Sequence, residues 1–543
     1  MSLQYSIQPR SIRPRISELT DTLRQKWQAA CRQYAGVLAA LVAMQIVVYS
    51  YFFTTVILTD HTFPNTWVQP YPSHRTQDEG RWFQDLIICF QGGAGVQPFQ
   101  MFVAVTLQGI NGILFARLLG LTKRFEVFLA AAVVCLYPAI LDTYSFASDH
   151  LTFTLGDTLA LAGIFCLATQ RPSPKNAFVS GLCFMLSLAA YGPKIAFIAL
   201  LCLCHLAMSI ATDNDASDND ATGPRSGDPS TVLLRLLQRS GCVFAVFAAA
   251  CVCFYASTKL VVTQDAGMRV QLNSAEQMGQ AVVQAYRKFL LYCTVDSDYL
   301  PVSLRALPAM AVALGAVSLL LNARRKGATA IAILAMLLAL VPLVLRASYI
   351  INGNTYEDNG RITYVNGYAL VFFLAAALHR PMLKWCAMGM LLLLCYVMAV
   401  VGTQETNAAA MRTFYETNMV NRIAARIEDQ TAGLYEGKRA LVVIGALPDF
   451  PYQRYVRYRN QRMQPHARFT AFPFFRQVEL LNFLFGQDVL QLPTAAQVER
   501  ATASAKDRKP WPSADSVYVE DDVVVVLLQE YQEGVPRTTS SGQ

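Results

Sequence analysis

The sequence predicts an all-α polytopic membrane protein of about eleven transmembrane helices, with a small α/β domain near its C-terminal end. Composition points there first: 54% of the 543 residues are hydrophobic and 15% charged, against about 45–50% and 25% in soluble domains. Distribution is the second observation. The apolar excess lies in long charge-free runs, and an uncharged run of about 18 residues or more reads as a membrane-spanning helix. Third, the long runs stop at residue 404, and shorter helical and strand-like segments follow. A single soluble globule, a disordered chain and an ordinary nucleic-acid binder are excluded. The net charge of +8 then reflects loop bias and anionic lipid, and no nucleic-acid partner is expected.

The elements follow in order. Residues 1–33 are polar and basic, too long and too charged for a cleaved signal peptide, and form a cytoplasmic segment. Residues 34–403 form the transmembrane domain. Its apolar runs lie at 34–57, 97–116, 125–143, 151–169, 176–193, 195–212, 240–258, 306–323, 327–345, 363–379 and 385–403. An odd number of crossings puts the two ends on opposite sides. With the N-terminus inside, the inner connections carry nearly twice as many Lys and Arg as the outer ones, Arg324-Arg325-Lys326 most clearly. The outer loops are then 58–96, 259–305 and 346–362, and the C-terminal domain is outside.

The loops and the tail differ in character. Loop one continues into Trp82-Phe83, Leu86-Ile87 and Phe90, a pattern that predicts a short helix on the membrane face. The second outer loop carries Met278, Val282, Val283, Tyr286, Phe289 and Leu290 at helical spacing. The inner stretch Asp213 to Ser230 is rich in Asp, Asn, Ser, Gly and Pro and reads as disordered. The C-terminal domain, 404–530, begins with a helix near 405–429 and a strand from Ala440 to Ile444. An Arg/Tyr/Phe-rich stretch from Tyr452 to Phe475 comes next, then a strand pair around Glu520-Asp521-Asp522, and residues 531–543 form a disordered tail. There is no internal repeat. The 13 cysteines show no metal or disulfide framework spacing.

Four segments hold residues able to do chemistry. Asp78-Glu79-Gly80-Arg81 follows the first run: two carboxylates can supply a base, Gly lets the chain turn, and Arg can bind a phosphate through two hydrogen bonds. A solvated surface loop is an equal alternative. The turn from Asp142 to His150 brings Asp149 and His150 to the membrane surface, where Asp149 also suits a helix N-cap. Asp157 lies two turns deeper, and an ionisable group within a span is costly enough to require a purpose, functional or as an interhelical hydrogen bond. Tyr191-Gly192-Pro193-Lys194 presents an ammonium at the depth of lipid phosphates, or simply snorkels. Arg346 and the stretch Glu357-Asp358-Asn359-Gly360-Arg361 bring two guanidiniums to the same side; pairing of Arg361 with Glu357 or Asp358 is the alternative. His205 and His379 are isolated and structural. No cofactor is required; Asp78 with Asp149 is compatible with a Mg²⁺ or Mn²⁺ ion. No Gly-Lys-Ser/Thr phosphate loop suggests an ATP-driven pump.

These groups cluster at the outer ends of the spans, whereas a transporter would carry polar groups near the midplane. The Asp78-Glu79-Gly80-Arg81 box, the Tyr144-Ser145-Phe146-Ala147-Ser148-Asp149 turn, the Tyr191–Lys194 turn and Arg361 resemble the bacterial Gtr-type (type II) glucosyltransferases that decorate O-antigen and related surface glycans. Two details depart from that pattern. The box is Asp-Glu where the family often has two Asp and a further residue, and Gly-Pro-Lys stands after Tyr191 where Gln is common.

The resemblance implies a membrane-embedded C-type glycosyltransferase fold in a bacterial inner membrane, with the outer side periplasmic. It implies a polyprenyl-phosphate hexose donor, glucose by family, and a surface glycan acceptor. It implies a partner flippase and a cytoplasmic-side enzyme that loads the lipid. Asp78 or Glu79 would be the base. Arg81, Lys194 and Arg361 would hold the donor phosphate, and Asp149 would hold the acceptor, a metal or one of those cations. His150, Asp157 and Arg346 are left as acceptor-binding or structural. Arg454, Arg457, Arg459 and Arg462, interleaved with Tyr452, Tyr455 and Tyr458, suit a glycan chain or a solvated basic face equally. Two other functions fit the layout less well: an O-antigen polymerase or ligase, and a transporter or lipid-linked sugar flippase.

Overall fold

A computed structural model describes residues 32–54, 74–77, 79–91, 98–144, 149–168, 173–211, 229–262, 273–294, 300–352, 360–431, 437–447 and 477–529. The chain is mostly helical. The membrane part holds α1 (Arg32–Val48), α2 (Ser50–Thr54), α3 (His74–Gln77), α4 (Trp82–Phe90), α5 (Phe99–Leu118), α6 (Arg124–Leu136), α7 (Ile140–Tyr144), α8 (His150–Ala168) and α9 (Pro174–Ala190). A single 3-10 turn (Gly192–Lys194) leads into α10 (Ile195–Ala211), followed by α11 (Pro229–Val261), α12 (Ala275–Thr294), α13 (Leu307–Ala323), α14 (Ala328–Leu345), α15 (Ala347–Ile351), α16 (Gly360–Thr363), α17 (Val365–Leu378) and α18 (Pro381–Thr431).

Eight of the described helices are long and apolar enough to cross a membrane. The three remaining apolar runs are helical but shorter: α1 and α9 have 17 residues each and α6 has 13. α6 is cut short because Pro138 follows at once; proline has no N–H to continue the ladder, and the chain resumes as α7. Helices satisfy their own backbone groups, which hydrocarbon demands. They approach closely where side chains are small: a Cβ on Gly315 would lie 2.4 Å from the Phe373 carbonyl oxygen, so α13 and α17 touch backbone to backbone. α17 is buried along its whole length, whereas the Gly241–Val261 part of α11 is only 17% buried, with Val252 and Leu260 exposed.

α12 is the helix expected in the second outer loop, but its face is not all free. Tyr286 donates its hydroxyl to the Ala339 carbonyl of α14 at 3.0 Å, while Val283 and Leu290 stay exposed. α4 likewise does more than lie on a membrane face, since Gln84, Asp85 and Ile88 are buried.

The last span and the helix expected at 405–429 are one 51-residue helix, α18. Lys384 near its start pairs with Glu126 at 2.6 Å, at the head of α6, and Gly402 packs against Val48 at the far end of α1. α18 therefore rises to the end of the bundle where α8 and α10 begin and runs on into the C-terminal domain. That domain adds β1 (Arg439–Ile444), α19 (Gln477–Phe485), β2 (Leu490–Gln491), α20 (Ala495–Ser504), β3 (Val517–Glu520) and β4 (Val523–Leu527). The sheet order is β2-β1-β4-β3: β1 runs parallel to β4 from Ala440↔Val523 to Ile444↔Leu527, and β3 and β4 form the hairpin around Asp521. Both faces are covered, by the end of α18 with α19 on one side and by α20 on the other, which is why β1 and β4 read as unbroken apolar runs. A reciprocal Thr494–Gln497 cap starts α20. The Tyr452 to Phe475 stretch and the stretch from 212 to 228 lie outside the described residues.

Candidate active site

Glu79, Gly80 and Arg81 of the loop-one box form a tight turn before α4. Arg81 N–H donates to the Arg75 carbonyl at 2.9 Å, and Gly80 takes a positive φ of 67°. A Cβ there would lie 2.3 Å from the Thr258 methyl, so only glycine lets the turn sit on the end of α11. Trp82 adds a hydrogen bond from its indole to Ser257 at 3.3 Å. Inside the turn, Thr76 donates to Asp85 at 2.8 Å, both buried. Arg75 reaches across to Asp149 at the head of α8, 3.1 Å away, with both side chains 1% exposed. Arg81 pairs with Glu79 at 2.9 Å.

The box abuts an aromatic cluster. Tyr191 and Phe153 meet edge to face with centroids 4.7 Å apart, and Ile362 and Tyr349 pack against them. Three arginines rim this cluster. The Arg81 guanidinium lies 4.8 Å from the Tyr191 centroid. Arg361 lies 5.8 Å from Tyr191 and 6.0 Å from Phe153, and Arg346 stacks on Tyr349 at 4.9 Å. Arginine suits such positions because its weakly hydrated plane is attracted to ring faces. Burial draws the Arg81 pKa down to about 10; Tyr191 opposes the fall, Arg361 adds to it, Asp149 opposes it and Arg75 adds to it. Arg81 stays a cation at neutral pH.

Lys194 does not stand at the lipid surface. It turns inward from the 3-10 turn and is 3% exposed. Its ammonium lies 2.7 Å from Asp157 and 2.9 Å from the Tyr364 hydroxyl, which itself donates to Asp157 at 2.6 Å. The reason is Asp157: a carboxylate inside a span needs a counter-charge, and the nearest turn supplies one.

Of the residues singled out in the sequence, Glu79, Arg81, Asp149, Asp157, Lys194, Arg346 and Arg361 come together at this end. His150 is fully buried at the start of α8. Asp78 and the carboxylates Glu357 and Asp358 lie outside the described residues. Among the described residues no three His, Cys, Asp or Glu side chains converge as metal ligands. Sequence reasoning missed Arg75, whose role depends on a contact with α8. It also missed Phe153, although the spacing Asp149, Phe153, Asp157 puts all three on one helix face. Gln84, one turn beyond Arg81, was missed too: it is fully buried, and its amide has no hydrogen-bond partner among the described residues.

The sequence finds no significant match among curated proteins or among solved structures. Residues 66–374, more than half of the chain, match the family described as Glucosyl transferase GtrII. That stretch holds the box, the aromatic cluster and all three rim arginines, and this membrane protein belongs to the GtrII glucosyltransferase family.

Proposed function

We propose that this chain transfers a glucose residue from a polyprenyl-phosphate donor to a surface glycan such as O-antigen, on the periplasmic face of a bacterial inner membrane. The observation that carries the reading is the gathering of Arg81, Arg346 and Arg361 around Phe153, Tyr191 and Tyr349, beside a carboxylate box, at one end of a lipid-embedded bundle. A polyprenyl-phosphate sugar needs these features together. Its phosphate needs cations near the membrane surface, its sugar a polar and aromatic pocket, and its tail an apolar flank. In this reading all eleven apolar runs cross the membrane, the N-terminus is cytoplasmic and the C-terminal domain stands on the acceptor's side.

Transfer proceeds by displacement at the anomeric carbon. The acceptor oxygen attacks as a carboxylate takes its proton, and the bond to the polyprenyl-phosphate oxygen breaks. Asp78 or Glu79 is the base. Glu79 also holds the Arg81 guanidinium over Tyr191. Arg81 and Arg361 stabilise the charge that grows on the leaving phosphate. A flippase and a cytoplasmic-side enzyme that loads the lipid are the expected partners.

Mass spectrometry of the host's surface glycan tests this in a deletion strain carrying either the wild type or Asp78→Asn/Glu79→Gln. Loss of one hexose per repeat in the deletion and the variant, at unchanged chain length, is the expected result. A collapse in chain length would point to polymerisation or ligation, and an unchanged glycan in every strain would sink the reading.

A further inference from the structure

The site has two tiers, and their registers match. On α8, Phe153 stands one turn above Asp157. Across the 3-10 turn, Tyr191 stands three residues before Lys194, whose N–H donates to the Tyr191 carbonyl at 2.9 Å and ties the two residues together. At the entry to α17, Arg361 stands three residues before Tyr364. The upper members, Phe153, Tyr191 and Arg361, are in mutual contact. So are the lower members, Asp157, Lys194 and Tyr364, through contacts of 2.6 to 2.9 Å. Each side chain of the upper tier is thus carried by a segment pinned one turn below it.

The lower tier is closed to solvent. Asp157 and Lys194 are 3% exposed and Tyr364 is 5% exposed. One acid, one base and one hydroxyl satisfy one another, and the Lys194 ammonium also lies 4.4 Å from the Tyr364 ring centroid. The turn is fixed from outside as well: Ser348 on α15 donates to the Pro193 carbonyl at 2.9 Å, next to the segment that bears Arg346. A buried pair like this contributes little net stability compared with apolar residues of the same size. Its distinctive property is directional, because it permits only one register of three segments.

We infer that Asp157, Lys194 and Tyr364 are positioning residues for the donor phosphate: a buried lock that sets α8, the Tyr191 turn and the head of α17 so that Tyr191 and Arg361 meet the donor in register with Arg81. The inference rests on the proposal that the arginine rim binds that donor. Lys194 acts through Tyr191 and does not touch the phosphate.

The test is calorimetric titration of the full-length protein in lipid nanodiscs with a short-chain polyprenyl-phosphate glucose, which reads both Kd and the number of sites. Asp157→Leu/Lys194→Met removes the pair without stranding a charge, and Tyr364→Phe removes its hydrogen bonds while leaving the charges. Both are expected to raise Kd by about tenfold, the loss of about 1.4 kcal/mol of binding, with the number of sites unchanged. A role in stability alone would lower the number of sites at wild-type Kd and would overturn the inference. Loss of binding in Lys194→Met with wild-type Kd in Tyr364→Phe would also overturn it, by making Lys194 a direct ligand. Arg81→Met and Arg361→Met separate the two readings. If they lose binding while the lock variants keep it, the lock fails alone. If they too bind like wild type, the donor site itself is misplaced.

Discussion

Arg75 and Asp149 form an ion pair of 3.1 Å that is almost fully buried, tying the turn before α4 to the head of α8. The pair ties the α3 segment to the head of α8, beside the turn from which the Arg81 guanidinium reaches Tyr191. Removing one partner strands the other's charge. Arg75→Met is expected to cost about 3–5 kcal/mol, and Arg75→Met/Asp149→Leu to recover most of it. Thermal melting in detergent checks both; equal melting of Arg75→Met and wild type would remove the pair from the account.

Gly80 makes a sharper prediction about how the box is seated. Gly80→Ala adds a Cβ 2.3 Å from the Thr258 methyl at a φ of 67°. The clash costs about 1–3 kcal/mol and the left-handed backbone about 1–2 kcal/mol. Pairing it with Thr258→Ser deletes that methyl and should return the first part only. Glucosyl transfer by the double variant is therefore expected between that of Gly80→Ala and wild type. No recovery at all would show that α11 is not what holds the turn.

The Arg81 guanidinium predicts a pH dependence. Its pKa of about 10 lies below the ordinary arginine value because burial disfavours the charge. Folding therefore carries a constant cost while Arg81 is protonated, and that cost is relieved as pH rises through 10. If Arg81 binds the donor phosphate as proposed, donor affinity is expected to change in the opposite sense: level from pH 7 to 9 and falling above about 10, where the neutral side chain would no longer pair with phosphate. Arg81→Lys keeps a charge but loses the planar stacking on Tyr191, and donor KM is expected to rise about threefold to thirtyfold. A steady-state series across pH and donor concentration reads both effects.

The joint between α18 and the C-terminal domain depends on Arg426. Its guanidinium lies 4.3 Å from the Trp511 centroid and donates to the Pro512 and Ser513 carbonyls at 3.0 and 2.7 Å. Arg426→Ala removes these bonds and the contact with the Trp511 ring, although Ser516 still donates to the Ser513 carbonyl, and is expected to cost about 0.5–1.5 kcal/mol. Limited proteolysis should release the sheet domain faster from this variant while the membrane part stays intact. Identical cleavage rates would place the joint elsewhere on α18.

The sequence by itself determined the helical membrane architecture. Hydrocarbon tolerates few charges and no unpaired backbone, so every span leaves a long apolar run, as Ala328–Leu345 does most plainly. The β1 strand and the hairpin around Asp521 were readable for a related reason, since a strand covered on both faces is apolar throughout. The box and Arg361 could be picked out because charged groups at span ends are chemically conspicuous. Only the tertiary structure decided which of them meet. Lys194 finds Asp157 across 37 residues, and Arg75 finds Asp149 across the second and third spans of the bundle. Such pairings depend on how neighbouring helices are rotated and how far each slides along the next. Those two quantities come from packing between helices, and no periodicity within a single helix records them.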